Sequence, residues 1–392
     1  MHRPTTFRRL PPVVLAGAAT LALGVGFATA NGAEHGTARP TRAAAIAQAQ
    51  RLSLLAPTGP YRVGTIAVPV PDPSRGGETM IQLFYPTLVR HGRPASYLPP
   101  QTAQLTASTF HVPASVIATV ATHAFDRAPA APGAHPVVLF SPGLTELRSD
   151  ATALVADLAS HGYVVVAIDH PHESAIVEFP DGRVIRGSFV DSPDAATSTR
   201  LRAAAVRARV RDVAAVVRAL PRIDRGGLLR GRLDLTRIGM FGFSIGGATA
   251  DEAMRAVPQI RAGVNLDGSL YGRSLGTPLH RPFLFLARDG HDTGTDPSWR
   301  HGWAMLRGWR REIRLIGAGH GDFTDLAGLI QQFTPALTDP SGYYGPIQAN
   351  SATTATRQVL TAFFDHFLLG KRGEDALLNA PARVNHDLLR LR

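Results

Sequence analysis

Two kinds of apolar run alternate through the middle of the chain. HPVVLFSPG (135–143) and YVVVAIDH (163–170) are short, continuous and β-branched, the pattern of strands buried on both faces. Between them, SDATALVADLASHG (149–162) has helical periodicity and stops at a glycine. STRLRAAAVRARVRDVAAVVRAL (198–220) predicts a long amphipathic helix, and DLTRIGMFGFSIGG (234–247) a strand running into a turn. Helix ADEAMRAVPQI (250–260) follows, then strands in RAGVNLDGS (261–269), PFLFLARDG (282–290) and REIRLIGAGHGDF (311–323). Ahead of this alternation, YRVGTIAVPVP (61–71) and ETMIQLFYPT (78–87) predict two antiparallel strands around the turn PDPSRGGE. Residues 42–55 predict a short helix, and FHVPASVIATVATHAF (110–125) another within a proline-broken stretch. Strands alternating with helices predict an α/β fold: a mostly parallel central sheet flanked by helices, with antiparallel strands on its N-terminal side.

The first 33 residues have a different pattern. MHRPTTFRRL is basic, VVLAGAATLALGVGFATA is apolar and rich in small residues, and ATANGA ends it. That order is the layout of a secretory signal peptide, with cleavage expected near Ala30–Ala33; a membrane anchor is the competing reading, and the Ala/Gly-rich apolar stretch favours export. Arg8-Arg9 permits the export route for folded proteins. Residues 34–392 are then expected to form a single domain, with 172–205 a rim or cap.

Composition narrows the chemistry. A chain of 392 residues, 44% hydrophobic and 18% charged, has enough apolar material for a large core. The absence of cysteine excludes disulfides and thiolate catalysis. The net charge of +11 is mostly arginine spread through helices, with no zinc-finger spacing or arginine-rich tail, so no nucleic-acid partner is expected. Transient contact with anionic or lipid surfaces is compatible with it. No cofactor is implied. The H-x-H pair His170 and His172 lacks a third ligand in a matching pattern, so no metal is expected.

GMFGFSIGG (239–247) carries the chemistry. Its G-x-S-x-G spacing at a strand-to-helix step is that of the turn that exposes a serine hydroxyl at the top of an α/β-hydrolase sheet. Ser244 is the candidate nucleophile; a helix cap is the bland alternative. A serine needs a histidine base and a carboxylate to hold the imidazole. His320 follows the last strand in a glycine-rich loop and keeps the order nucleophile, acid, histidine; His123, His170, His172 and His291 do not follow that strand. Two carboxylates compete for the third place, since Asp267 and Asp289 both end strands in D-G, and layout does not separate them. The oxyanion requires two backbone N–H groups: Ile245, after the nucleophile, and Leu144, after the turn at Gly143. Phe243, Leu144, Ile245, Trp303 and Trp309 are candidate lining for a substrate pocket, and the tryptophans serve equally well as core.

FSPGLTELRSD, VVVAIDHPHESA, GFSIGGATA, NLDGS, GHGDF and the closing helix VLTAFFDHFLLG together resemble the platelet-activating-factor acetylhydrolase family and related bacterial secreted serine esterases, over about residues 60–370. The resemblance implies an α/β-hydrolase fold and ester hydrolysis through an acyl-enzyme on lipid-like, short-acyl or polyester substrates. By position, it places the serine on Ser244, the histidine on His320, the acid on Asp267 and the donors on Leu144 and Ile245. The sequence departs from the family in having Phe243 where a histidine is more usual before the serine, and in lacking a histidine before Gly143. The first is expected to affect the turn's environment more than the chemistry, and the second leaves the substrate open. An amidase or peptidase on the same scaffold, and a non-catalytic binding protein, are the alternatives.

Overall fold

The computed structural model describes residues 52–333, 339, 341–372, 375–379 and 389–391. The expected signal peptide and most of the helix expected at 42–55 lie outside them. Leu52 to Leu55 form no helix; Ser53 instead makes a parallel bridge to Ala121.

The chain runs through β1 (Arg62–Asp72), β2 (Gly77–Thr87), α1 (Pro100–Thr109), α2 (Ala114–Ala118), β3 (Ala124–Asp126), β4 (His135–Ser141), α3 (Thr152–Ser160) and β5 (Val164–Ile168). The short strands β6 (Ile176–Glu178) and β7 (Val184–Arg186) precede α4 (Ala195–Asp224), β8 (Leu233–Phe243), α5 (Ile245–Ala256), β9 (Ile260–Leu266) and β10 (Phe283–Arg288). Then come α6 (Pro297–Met305), β11 (Arg310–Leu315), α7 (Asp325–Phe333), α8 (Ala349–Leu369), α9 (Asp375–Asn379) and β12 (Leu389–Leu391). Ten strands form one sheet in the order β12-β11-β10-β9-β8-β4-β5-β2-β1-β3. Its centre, β5-β4-β8-β9-β10-β11, is parallel, whereas β2 pairs antiparallel with both β1 and β5. β6 and β7 pair only with each other, within the segment read as a rim or cap.

The continuous apolar runs of the parallel strands are needed because both faces are covered. Val138 and Phe140 of β4 pack with Phe241 and with Phe363 and Phe364 of α8, while Val137 and Leu139 pack with α4 and α5 through Val213, Val216 and Met254. Successive side chains on a strand point to opposite faces, so a strand between two helical layers has no polar side.

Two short elements differ from the sequence reading. The helix expected across 110–125 shrinks to α2, since Pro113 starts it and the chain then turns into the bridge at Ala121 and into β3. α1 was hidden by prolines, but Pro100 sits in its first turn, where a missing N–H costs nothing. The β3 end of the sheet is also distinctive. β3 covers β1 only at Val63–Thr65, and β1 carries Pro69 and Pro71 beyond that contact.

Candidate active site

Ser244 sits between the end of β8 and the first residue of α5 with φ 55° and ψ −125°. A non-glycine residue in such a conformation costs on the order of 1–3 kcal/mol and persists only where its surroundings impose it. Here they do. The Ser244 N–H donates to the Leu266 carbonyl at the end of β9 (2.8 Å), and its own carbonyl accepts from Gly247 (2.8 Å). The turn closes so tightly that a Cβ on Gly242 would lie 2.1 Å from the Gly246 carbonyl oxygen, and one on Gly246 would lie 2.0 Å from that of Ser141. Both positions therefore require glycine.

The Ser244 hydroxyl lies 3.1 Å from His320 Nε2, and His320 Nδ1 lies 2.5 Å from Asp267 Oδ2. Asp267 follows β9, also with positive φ (56°), and its N–H donates to Leu286 of β10. Its carboxylate collects further donors: the Arg288 N–H (3.0 Å) and His291 Nδ1 (2.5 Å) on Oδ1, with the Arg288 guanidinium 3.4 Å from Oδ2. Burial pushes this carboxyl up, but the hydrogen bonds from His291 and His320 outweigh it and hold it well below the usual carboxylate range. His291 reaches a second carboxylate, Asp296 Oδ2, through Nε2 at 3.0 Å and lies against Trp299 with ring centres 4.2 Å apart. Burial lowers its pKa, and the two carboxylates more than reverse that, raising it to about 9. Asp289, the rival acid, instead accepts from the Gly317 N–H (3.0 Å) and so anchors the loop that carries His320.

The Leu144 N–H has no acceptor within the described residues, and that of Ile245 opens α5, where no intrahelical acceptor exists. Both residues, with Phe243, Ser244, Tyr271 and Tyr343, line a cleft of about 90 Å³. Arg202 of α4 reaches the same cleft and is ion-paired with Asp191. The Phe243 and His320 rings lie 4.7 Å apart, so the residue that replaces the more usual histidine packs on the imidazole. Trp303 and Trp309 are elsewhere: Trp303 packs on Phe285 and under Arg310, and Trp309 on Phe363 and Phe367. They belong to the helical layers, and Phe243 is joined in the aromatic lining by Tyr271 and Tyr343, which the sequence reading missed.

A second Ser–His–Asp string lies behind the cleft. His170 Nε2 is 2.9 Å from Ser141 Oγ, its Nδ1 is 2.8 Å from Asp212 Oδ2, and Arg75 grips Asp212 with two hydrogen bonds. Burial and the nearby Arg209 lower the His170 pKa, so the ring is neutral, receiving a proton from Ser141 and donating one to Asp212. All three members are wholly enclosed and none borders the cleft, so no substrate carbonyl reaches Ser141. His172, its neighbour in the H-x-H pair, is exposed.

A half-buried serine at a cleft with its base, a buried ionised acid and two free N–H groups is the equipment of a serine hydrolase that works through a covalent acyl intermediate. Comparison with known proteins agrees. The sequence profile of the family described as platelet-activating factor acetylhydrolase, isoform II, matches residues 46–372. A probable 1-alkyl-2-acetylglycerophosphocholine esterase of Arthroderma benhamiae is 28% identical over 269 residues, covering 63% of this chain and 64% of that protein. The platelet-activating factor acetylhydrolase of Cavia porcellus is 25% identical over 211 residues, 49% of this chain and 48% of that one. The chain thus spans from about half to just under two thirds of the length of these curated relatives. Among solved structures, a ferulic acid esterase from Streptomyces cinnamoneus superposes with a TM-score of 0.75 at 33% identity, over 87% of this chain and 99% of its own.

Proposed function

The chain belongs to the platelet-activating factor acetylhydrolase, isoform II, family, and from that premise we propose that it hydrolyses carboxylic esters with Ser244 as nucleophile, His320 as base and Asp267 as acid. The observation that carries the reading is the unbroken chain Ser244 Oγ–His320–Asp267 on a strained turn at the mouth of a cleft. As Ser244 attacks the ester carbonyl, His320 Nε2 takes its proton, and Asp267 holds the Nδ1–H and stabilises the imidazolium. Leu144 and Ile245 N–H receive the oxyanion. Collapse expels the alcohol with the proton from His320, and water, activated by the same ring, releases the acid.

The substrate is a short-acyl ester. The cleft of about 90 Å³ is well below the roughly 300–1,000 Å³ of sites for drug-sized ligands. Among the relatives are one named for an acetylated glycerophosphocholine and one for ferulic acid. The first fits a small acyl pocket; Phe243, Tyr271 and Tyr343 give the second, aromatic acyl group a rationale. S244A should fold and lose at least about 10⁴-fold in turnover. A fluorophosphonate should add one adduct to the wild type and none to S244A by intact mass, and in an ester series acetyl should exceed both long-chain and feruloyl substrates. A folded S244A that still turns over ester overturns the assignment. Export, supported by the N-terminal pattern, belongs to the same reading: secreted protein should begin near Ala30–Ala33 on N-terminal sequencing, and a start at Met1 would contradict it.

Contact with anionic surfaces is the remaining part of the proposal. Arg200, Arg207, Arg211, Arg218 and Arg222 of α4 are exposed, and at 100° per residue they fall within about 60° of one another over about 33 Å. None is paired with a carboxylate among the described residues.

A further inference from the structure

Arg209 is the one arginine in the middle of α4 that does not face solvent. It is fully enclosed and lies on the apolar stripe, three residues after Val206 and four before Val213. Its Nε donates to Glu173 Oε2 (2.6 Å) and one Nη to Oε1, so the charge is matched. The remaining donors go to the end of β4 and the loop after it: to Ser141 Oγ (3.3 Å), the Pro142 carbonyl (2.5 Å) and the Gly143 carbonyl (2.9 Å). Ser141 is in turn held by the neutral His170, and through it by Asp212 and Arg75.

These bonds act on two successive peptide groups. A trans peptide is planar, with its C=O and N–H pointing in opposite directions, and the described residues contain no cis bond. The 142–143 peptide is held at both ends, its oxygen by Arg209 and its N–H by Glu146 Oε2 at 2.9 Å. The 143–144 peptide is held at its oxygen alone, by Arg209 at 2.9 Å and by the Glu146 N–H at 3.2 Å. With that oxygen turned to Arg209, behind the cleft, the Leu144 N–H points the opposite way, to the cleft side, and finds no partner among the described residues.

We propose that Arg209 is the positioning residue of the oxyanion site, a guanidinium that fixes the orientation of the Leu144 N–H for the transition state while touching neither substrate nor triad. The proposal rests on the ester-hydrolase reading above. It explains why a charge is retained in the core and why a second, inaccessible Ser–His–Asp string exists: that string orients Ser141 toward Arg209. A flipped 143–144 peptide would present a carbonyl to the oxyanion, so the shorter, charged bond to Arg209, beside that from the Glu146 N–H, also disfavours the unproductive orientation.

The test compares R209K, R209M and the double variant R209M/E173Q, which leaves no buried ion unpaired. Each is assayed on a short-chain ester per titrated active site, with affinity for a trifluoromethyl ketone that forms a tetrahedral oxyanion adduct. Loss of one oxyanion donor costs about 10²–10³-fold in kcat; a peptide whose oxygen keeps only the longer bond from the Glu146 N–H still samples the right orientation and should cost about 10–100-fold. We expect kcat per site to fall in the order R209K, then R209M and the double variant, with KM little changed. Ketone affinity should fall in proportion, and the acid limb of the pH–rate profile should stay in place because the triad is untouched. A purely structural Arg209 would lower the titrated fraction and the melting temperature and leave kcat per site and ketone affinity at wild-type values. That result, in any variant that folds, overturns the proposal. Loss of activity in S244A alongside normal R209 variants would reject the positioning role alone, and an active S244A would reject the reading beneath it.

Discussion

Asp267 shows how much one carboxylate can be asked to do. Its left-handed backbone is a conformation that aspartate tolerates better than most residues, and its two oxygens separate two histidines, one that faces Ser244 and one that faces Asp296. Both nitrogens of His291 face carboxylates, so the ring is an imidazolium and the unit of two acids and one cation carries a net single negative charge. The group facing His291 beyond these acids is the Arg288 guanidinium on the far side of Asp267, while Asp292 is paired with Arg314 and Glu312 accepts from the Thr293 N–H. The pH dependence follows. Because the folded pKa is raised above the ordinary value of 6.5, the stabilisation is fully present below pH 6.5 and is lost as pH rises through about 9. A shift of that size is on the order of 3 kcal/mol. H291N should therefore be less stable than the wild type at pH 6 by about that amount, with the gap closing by pH 10, as measured by urea unfolding at several pH values. Parallel stability curves would show that the imidazolium is not the form that matters.

At the scale of elements, periodicity sufficed wherever local and tertiary preferences agreed. β4, β5, α3, α4, β8 and the serine turn all follow from continuous runs, helical spacing or a glycine triplet with a steric reason for each position. It failed where a contact distant in sequence decided the outcome. Residues 52–55 are extended because they pair with residue 121 and because Arg357 of α8 takes the carbonyls of Leu55 and Ala56. Asp267 and Asp289 are alike as strand-end D-G pairs, and only the course of the loop to His320 separates them. Arg209 did have a signal, an arginine within an apolar stripe, but its meaning depends on a loop 66 residues away. The opposite face of α4 supplies a prediction. An arginine near an anionic membrane contributes about 1 kcal/mol, so replacing Arg207, Arg211, Arg218 and Arg222 with glutamine should weaken binding to phosphatidylglycerol-rich vesicles by a hundred-fold or more. Wild-type binding should itself fall steeply with added salt, and turnover of a soluble ester should be unchanged. Equal co-sedimentation of wild type and variant would remove the ridge from consideration.

Across the whole molecule, the site is assembled from segments that meet only because the sheet places them side by side. Leu144 follows β4, Ser244 follows β8, Asp267 follows β9 and His320 follows β11, all at the carboxyl ends of parallel strands, where open α/β sheets gather their ligands. The same sheet has to end somewhere, and β1 shows how. Beyond the three residues covered by β3, it continues as an outer strand with prolines at 69 and 71, two residues apart and so directed to the same edge. Neither can donate to the ladder, and the pairing of β1 with β2 continues past both, so their missing N–H groups lie on the outer side. A neighbouring chain looking for a strand to extend meets a row of acceptors from which two donors have been deleted. The consequence is colloidal: a sheet ten strands wide can be concentrated without offering that side as a template for strand-by-strand growth.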